Sequence, residues 1–273
     1  MIKVLITCVN YNSYNELHDF LTSINVATKA VMDRCIVEVI IADNSVKKQP
    51  IDTTQYEHLK CTIKNIPNKG YINSAQEAML HYGISNIADA DFCIISNVDI
   101  RVKENFFVKL LATSTVDLGW IAPRIYTPST QAEENPQVLI RYSKRKLQLL
   151  KLLYTYPILS RCYDYTYHLI RRKHRNQEGK TLAKQSIYAG HGSIFIFTQA
   201  FMRQIFPFDF PCFLYGEEIF FAEKVRLNGL ITYFDPTLEV ENTSAHVSTG
   251  SLAYRKRCHY SAIALDYILK TFY

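Results

Sequence analysis

Three apolar runs near the start of the chain each stop abruptly at a cluster of small polar side chains. That pattern limits what the chain can fold into. Lys3 to Val9 ends at Asn10–Ser13, Cys35 to Ala42 ends at Asp43–Ser45, and Phe92 to Ile95 ends at Ser96–Asp99. Short apolar runs of this kind read as strands buried on both faces. Between them Leu17, Phe20, Leu21 and Ile24 recur at the helical period, and Ser74 to Tyr82 reads as a helix stopped by Gly83. Leu59 to Ile66 adds a shorter strand. Such alternation predicts an α/β fold, a mixed, mainly parallel sheet flanked by helices. In that sheet the three polar strand ends share one edge, where open α/β sheets bind ligands.

The stretch Asp91–Val102 reads as a single strand and its exit. On an extended segment residues two apart point to the same side, so Asn97 and Asp99 are expected to address one ion or one hydroxyl. Further on, a helix is expected over Glu104 to Leu111 and a strand over Gly119 to Tyr126. Gly190 and Gly192 precede a strand at Ser193 to Phe197 and permit close backbone approach. Glu217 and Glu218 sit in the first turn of a helix running to Asn228, where the helix dipole favours carboxylates. Tyr233 to Pro236 reads as a strand exit and turn, and Leu252 to Tyr273 as a closing helix with Arg255, Lys256 and Arg257 near its start.

The chain of 273 residues is long enough for one large domain with an insertion. Seven cysteines without a Cys-x-x-Cys pair argue for a reducing compartment and against a zinc site. The N-terminus lacks a basic leader with a long apolar core, and no apolar run reaches the length of a membrane span, so a cytoplasmic protein is expected. The +6 net charge matters chiefly for where it lies. Residues 127–186 form an insertion in which Arg141 to Tyr154 pairs basic residues with a Leu/Tyr face and Arg171 to Arg175 adds a basic cluster. A segment of this type either lies on an anionic membrane surface at the inner face of the cell membrane or packs on the domain with a solvated basic face. No nucleic-acid motif accompanies the charge, so nucleic acid is not an expected partner.

Taken in order, Val9–Asn12, Asp43–Ser45, Asn68–Gly70, Asn97–Asp99 and the run Phe208–Glu218 resemble the GT-A-fold glycosyltransferases of family 2, including bacterial surface-polysaccharide and rhamnosyltransferase-like enzymes. The resemblance covers about residues 1–125 and 187–250. It implies a single GT-A, Rossmann-like domain with a nucleotide-sugar half (1–125), the helical basic insertion (127–186), an acceptor half (187–250) and a C-terminal helix (251–273). No Gly-x-Gly-x-x-Gly follows the first strand, which counts against dinucleotide binding.

By that resemblance Glu218 is the expected catalytic base and Glu217 the fallback. Val9, Tyr11, Asp43, Asn68, Lys69, Asn97 and Asp99 are expected around a UDP- or dTDP-sugar, with Asp43 accepting from the pyrimidine ring. Asp99 and His246 are expected to hold a divalent cation, Mn²⁺ or Mg²⁺. Asn97 stands where the family more widely has Asp; as a neutral amide it suits ribose or phosphate better than the ion. The implied reaction is inverting transfer of one sugar to a glycan hydroxyl, with a lipid-linked oligosaccharide of surface-polysaccharide (O-antigen or capsule) assembly as the acceptor. The processive enzymes' Gln-x-x-Arg-Trp signature is absent. Two other classes fit an α/β sheet of this kind. A nucleotidyltransferase would need a Gly-rich basic loop after the first strand, which Asn10–Ser13 does not supply; a non-catalytic nucleotide or glycan binder would not need the retained acids.

Overall fold

The computed structural model describes residues 1–161, 182–243 and 251–273. Among them ten strands form one mixed sheet. In chain order the elements are β1 (Ile2–Asn10), α1 (Tyr14–Lys29), β2 (Cys35–Asp43), β3 (Lys60–Asn65), α2 (Tyr71–Tyr82), α3 (Ile84–Ala88), β4 (Phe92–Asn97), β5 (Ile100–Val102) and α4 (Phe106–Leu111). They continue with β6 (Leu118–Thr127), β7 (Ala132–Glu133), α5 (Lys144–Thr155), β8 (Gln185–Ile187), β9 (Ile194–Thr198), α6 (Gln199–Ile205), α7 (Glu217–Leu227), β10 (Ile231–Asn242) and α8 (Ser251–Phe272).

The strand order is β3-β2-β1-β4-β9-β6-β10-β5, with β7 on β6 and β8 on β10. The block β3-β2-β1-β4 is parallel, β9 runs antiparallel to both its neighbours, and β6 and β10 pair in parallel. Alternation along each strand builds two cores. Val4, Ile6 and Cys8 of β1 point to the layer holding α1 and α4, while Leu5, with Ile40, Cys93 and Ile95, points to the layer holding α2, α6 and α7. The second layer is aromatic: Phe195, Phe197, Phe201 and Phe221 pack around Trp120.

Two sequence expectations are corrected. Asp91–Val102 is not one strand: β4 ends at Asn97, Val98 and Asp99 turn, and β5 crosses to pair antiparallel with β10. The turn is held by Thr243, whose N–H and hydroxyl donate to the Asp99 carbonyl at 2.8 and 2.9 Å. Nor does the chain leave the sheet at Tyr233–Pro236. Strand β10 passes straight through, with its register against β6 shifting between Asp235 and Glu239. The Asp235 carboxylate accepts from the Thr237 N–H at 3.0 Å, so the proline sits at an irregularity where no ladder N–H is needed.

Helix α5 of the insertion packs on α8. Leu147 meets Leu265 and Ile268 in a small separate core, and Lys151 pairs with Asp266 at 2.6 Å. The basic cluster at Arg171–Arg175 lies outside the described residues. No helix among the described residues is long and apolar enough to cross a membrane.

Candidate active site

The three polar strand ends meet as expected. Register places Asn10 beside Asp43 and Val9 beside Asn97. Asp43 is buried, and its carboxylate accepts from Asn10 Nδ2 at 3.1 Å, Ser45 Oγ at 2.6 Å and the Tyr14 hydroxyl at 3.0 Å. Burial alone would raise the Asp43 carboxyl, but these donors, Ser45 foremost, and the Lys48 charge hold it below its ordinary value. Its neighbour Asn44 donates to Asn68 Oδ1 at 3.4 Å and to Ser74 Oγ at 3.1 Å. This ties the end of β2 to the loop that starts α2.

A cleft of about 520 Å³ opens over this edge. Val9, Tyr11, Asn68 and Asn97 of the expected set line it, together with Asn44, Gly70 and Tyr71. The opposite wall comes from Phe213–Tyr215, before α7, and from Ala253, Lys256, Arg257 and Tyr260 of α8. Asp43 and Lys69 stand behind the wall; Lys69 reaches away to Glu77 at 2.8 Å. The two walls touch at Gly70. Its φ is +88°, and a Cβ there would lie 1.7 Å from the Phe213 carbonyl oxygen, so only glycine fits.

The acids gather around Tyr71. Burial, then the charges of Glu217, Asp99 and Glu218, push the Tyr71 hydroxyl well above its ordinary value. Glu217 is buried and accepts from the Tyr215 N–H at 3.0 Å, closing the turn at Gly216 that starts α7. Burial and the adjacent Glu218 charge push Glu217 up to about 8. Glu218 is half-buried and packs against Gly192, where a Cβ would come within 2.6 Å of its Oε1. Gly192 belongs to a segment held by His191, whose N–H donates to Asn135 Oδ1 at 2.8 Å and whose Nδ1 meets Ser193 Oγ at 3.0 Å.

Asp99 is pushed up by burial, partly offset by Arg101 and His191. Its Oδ1 is buried without a hydrogen-bond partner among the described residues. No cluster of three His, Cys, Asp or Glu forms there among the described residues, and His246 lies outside them. One orphaned carboxylate oxygen nevertheless suits a hard cation whose remaining ligands are phosphate oxygens and water.

Helix α7 is fixed from behind. The fully buried Glu223 accepts from Arg141 Nε at 2.6 Å, the Tyr188 hydroxyl at 2.7 Å and Arg226 Nε at 2.9 Å. The Arg141 guanidinium also stacks 3.9 Å from the centroid of the Tyr273 ring. Insertion, acid-bearing helix and C-terminus are therefore locked together.

Tyr71, His191, Lys256, Arg257 and Tyr260 were not among the expected site residues. Tyr71 follows directly on the Asn68–Gly70 motif, which was a usable signal. Lys256 and Arg257 were visible only as charges at the start of the closing helix.

No protein-family model matches the chain, and no curated protein matches it in sequence. Solved structures match it in fold. S. aureus TarS superposes with a TM-score of 0.53 at 12% identity, over 89% of this chain and 37% of TarS. S. aureus TarS 1-349 in complex with UDP-GlcNAc gives a TM-score of 0.53 at 14% identity, over 99% of this chain and 71% of that one. GalNAc-T7 with UDP, GalNAc and Mn²⁺ gives 0.52 at 13% identity, over 94% of this chain and 47% of that one. The chain thus spans less than half the length of TarS or of GalNAc-T7. The fold is the GT-A glycosyltransferase fold.

Proposed function

We propose that the protein is an inverting glycosyltransferase. It moves one sugar from a UDP- or dTDP-sugar to a hydroxyl of a glycan acceptor. The acceptor is carried on a lipid, as in assembly of a bacterial surface polysaccharide such as O-antigen or capsule. The observation that supports this most is the facing of two walls of one cleft: polar strand ends on one side, and on the other Lys256 and Arg257 with the Phe213–Tyr215 segment that leads into the Glu217–Glu218 helix start. The TarS complex with UDP-GlcNAc and the GalNAc-T7 complex with UDP and Mn²⁺ add a nucleotide-sugar precedent on this fold.

In this reading Val9, Tyr11 and Asn68 frame the nucleoside, and Asp43, held in place by Asn10 and Ser45, takes the ring N–H of the pyrimidine. Lys69 backs this wall through its pair with Glu77, and Asn97 meets ribose or phosphate. Lys256 and Arg257 place positive charge at the cleft, where the diphosphate develops negative charge on leaving. Asp99, with His246, would hold Mn²⁺ or Mg²⁺, which when bound neutralises the same leaving group.

Glu218 takes the proton of the acceptor hydroxyl as that oxygen attacks the anomeric carbon. Glu217 supports it electrostatically. Burial and the neighbouring Glu218 charge favour the protonated form of Glu217, so it can stand beside the base without adding a second negative charge. A single displacement of this kind inverts the anomeric centre and needs no covalent nucleophile. The residue division follows: 1–125 serves the donor, 187–250 the acceptor, and 127–186 with 251–273 the approach to the site.

The test is product formation from purified protein, a panel of nucleotide sugars and glycan acceptors, with the anomeric configuration read by NMR. Transfer with inversion, reduced by about 10²–10⁴-fold in Glu218→Gln, is expected. A retained configuration would contradict the mechanism.

A further inference from the structure

Helix α8 has two working faces. Ala253, Lys256, Arg257 and Tyr260 line the cleft, while Arg255, His259 and Ile263, spaced four apart, share a stripe turned away from it. That outer stripe meets the end of the insertion in two surface grooves of about 410 and 370 Å³, joined through Pro157 and Arg255. The junction is well built: the Tyr254 hydroxyl donates to Ser160 Oγ at 2.8 Å, and the Arg161 guanidinium lies 4.9 Å from the Tyr254 ring centroid.

Around these grooves apolar side chains face solvent. Ile158 is 79% exposed and Leu159 49%, and Leu149 and Leu152 of α5, with Tyr156 just past its end, are exposed as well. Scattered exposed leucines are ordinary, but five large apolar side chains exposed within residues 149–159 are not. The charge is as concentrated. Segments 143–161 and 251–273 hold nine basic residues against the single acid Asp266, a net +8, while the whole chain is +6. The remainder of the protein sums to slightly acidic; within the pair Lys256 and Arg257 face the cleft, and Arg255 lies on the outer grooves.

We infer that the outer face of the α5–α8 pair, with Ile158, Leu159, Leu152 and Arg255 at its centre, is a docking surface for an anionic phospholipid bilayer. Basic side chains meet the lipid phosphates while the exposed apolar side chains enter the headgroup–acyl boundary, which is the geometry of an interfacial helix. Charge complementarity selects a lipid surface carrying phosphate over a neutral one. The interleaved Ile and Leu side chains select a bilayer over a purely ionic partner such as a nucleic acid. Because α8 carries this face and a wall of the cleft, a docked enzyme would hold its cleft beside the membrane. That consequence for a lipid-borne acceptor rests on the proposed transferase function; lipid binding itself does not.

The test is co-sedimentation of the full chain with vesicles of phosphatidylcholine alone or mixed in equal parts with phosphatidylglycerol, at low and high salt, without donor or acceptor. Binding to the mixed vesicles at least about tenfold above the neutral ones, weakened by salt, is expected. The double variant Ile158→Asp/Leu159→Asp is expected to lose at least about tenfold of it while keeping the wild-type melting temperature. No binding to mixed vesicles would overturn the inference. So would salt-sensitive binding indifferent to the double variant, or light scattering that shows these side chains covered in a dimer. Should vesicle binding hold while no nucleotide sugar binds, only the transferase reading falls.

Discussion

Glu218 Oε1 occupies the space beside Gly192 that any larger residue would fill: a Cβ there would lie 2.6 Å from that oxygen and 3.0 Å from Cδ. The obstacle is the end of a flexible side chain, so Gly192→Ala is expected to leave the melting temperature almost unchanged. The carboxylate must swing away, and displacement of a catalytic group by about 1 Å can cost on the order of 10²-fold in rate. Turnover is expected to fall by about that factor with donor affinity preserved. Kinetics with calorimetric donor binding separate the two.

Arg141→Ala removes one partner of the buried Glu223 carboxylate. Breaking a buried pair from one side leaves an uncompensated charge, at about 3–5 kcal/mol. Here Arg226 and Tyr188 still reach Glu223 and Arg141 is partly exposed, so a loss of about 2–3 kcal/mol in denaturant unfolding is expected. Arg141→Lys should recover only part of it, because a lysine cannot reproduce the forked contacts to Glu223 and the Phe272 carbonyl.

Glu217 gives the protein a stability that depends on pH with a definite sign. Its carboxyl rises from an ordinary 4.5 to about 8 on folding, so between those values the folded state binds the extra proton. Stability from this group is present below pH 4.5 and is lost as pH rises toward 8. Glu217→Gln keeps an acceptor for the Tyr215 N–H and carries no charge. The melting temperature of the variant relative to wild type is therefore expected to increase steadily from pH 5 to pH 8. A difference independent of pH would contradict the assignment.

Gly70→Ala should be the most damaging of the single-methyl changes. It combines a positive φ with a backbone oxygen 1.7 Å from the new Cβ. A loss of at least about 2 kcal/mol is expected from strain alone. The Asn68–Gly70 and Phe213–Tyr215 walls must also part, so donor binding should weaken with it. Thermal melts and donor titration check both.

What could be read in advance follows the range of the forces involved. The ends of β1, β2 and β4 were legible because an apolar run that stops at Asn, Asp and Ser marks a strand end whatever lies beside it. Glu217 and Glu218 were legible as acids opening a helix. The Asn97–Asp99 spacing was misread as extended because a strand and a turn carry the same local sequence; the turn depends on Thr243, far along the chain. Pro236 looked like a stop because the partner strand β6, which keeps β10 in the sheet, cannot be seen from β10 itself. Lys256 and Arg257 enter the site only through the tertiary approach of α8 to the sheet edge.

The central claim is that one cleft binds a nucleotide sugar through the strand edge and Asp99 while Glu218 acts only on the acceptor. Titration calorimetry of UDP-, dTDP- and GDP-sugars against wild type, Asp99→Ala and Glu218→Gln, with and without Mn²⁺, tests it most directly. The account predicts that sugars of one nucleotide bind, that binding weakens without Mn²⁺ and in Asp99→Ala, and that Glu218→Gln binds as wild type does while failing to turn over. Failure of every nucleotide sugar to bind the wild-type protein, or loss of binding in Glu218→Gln equal to that in Asp99→Ala, would contradict it.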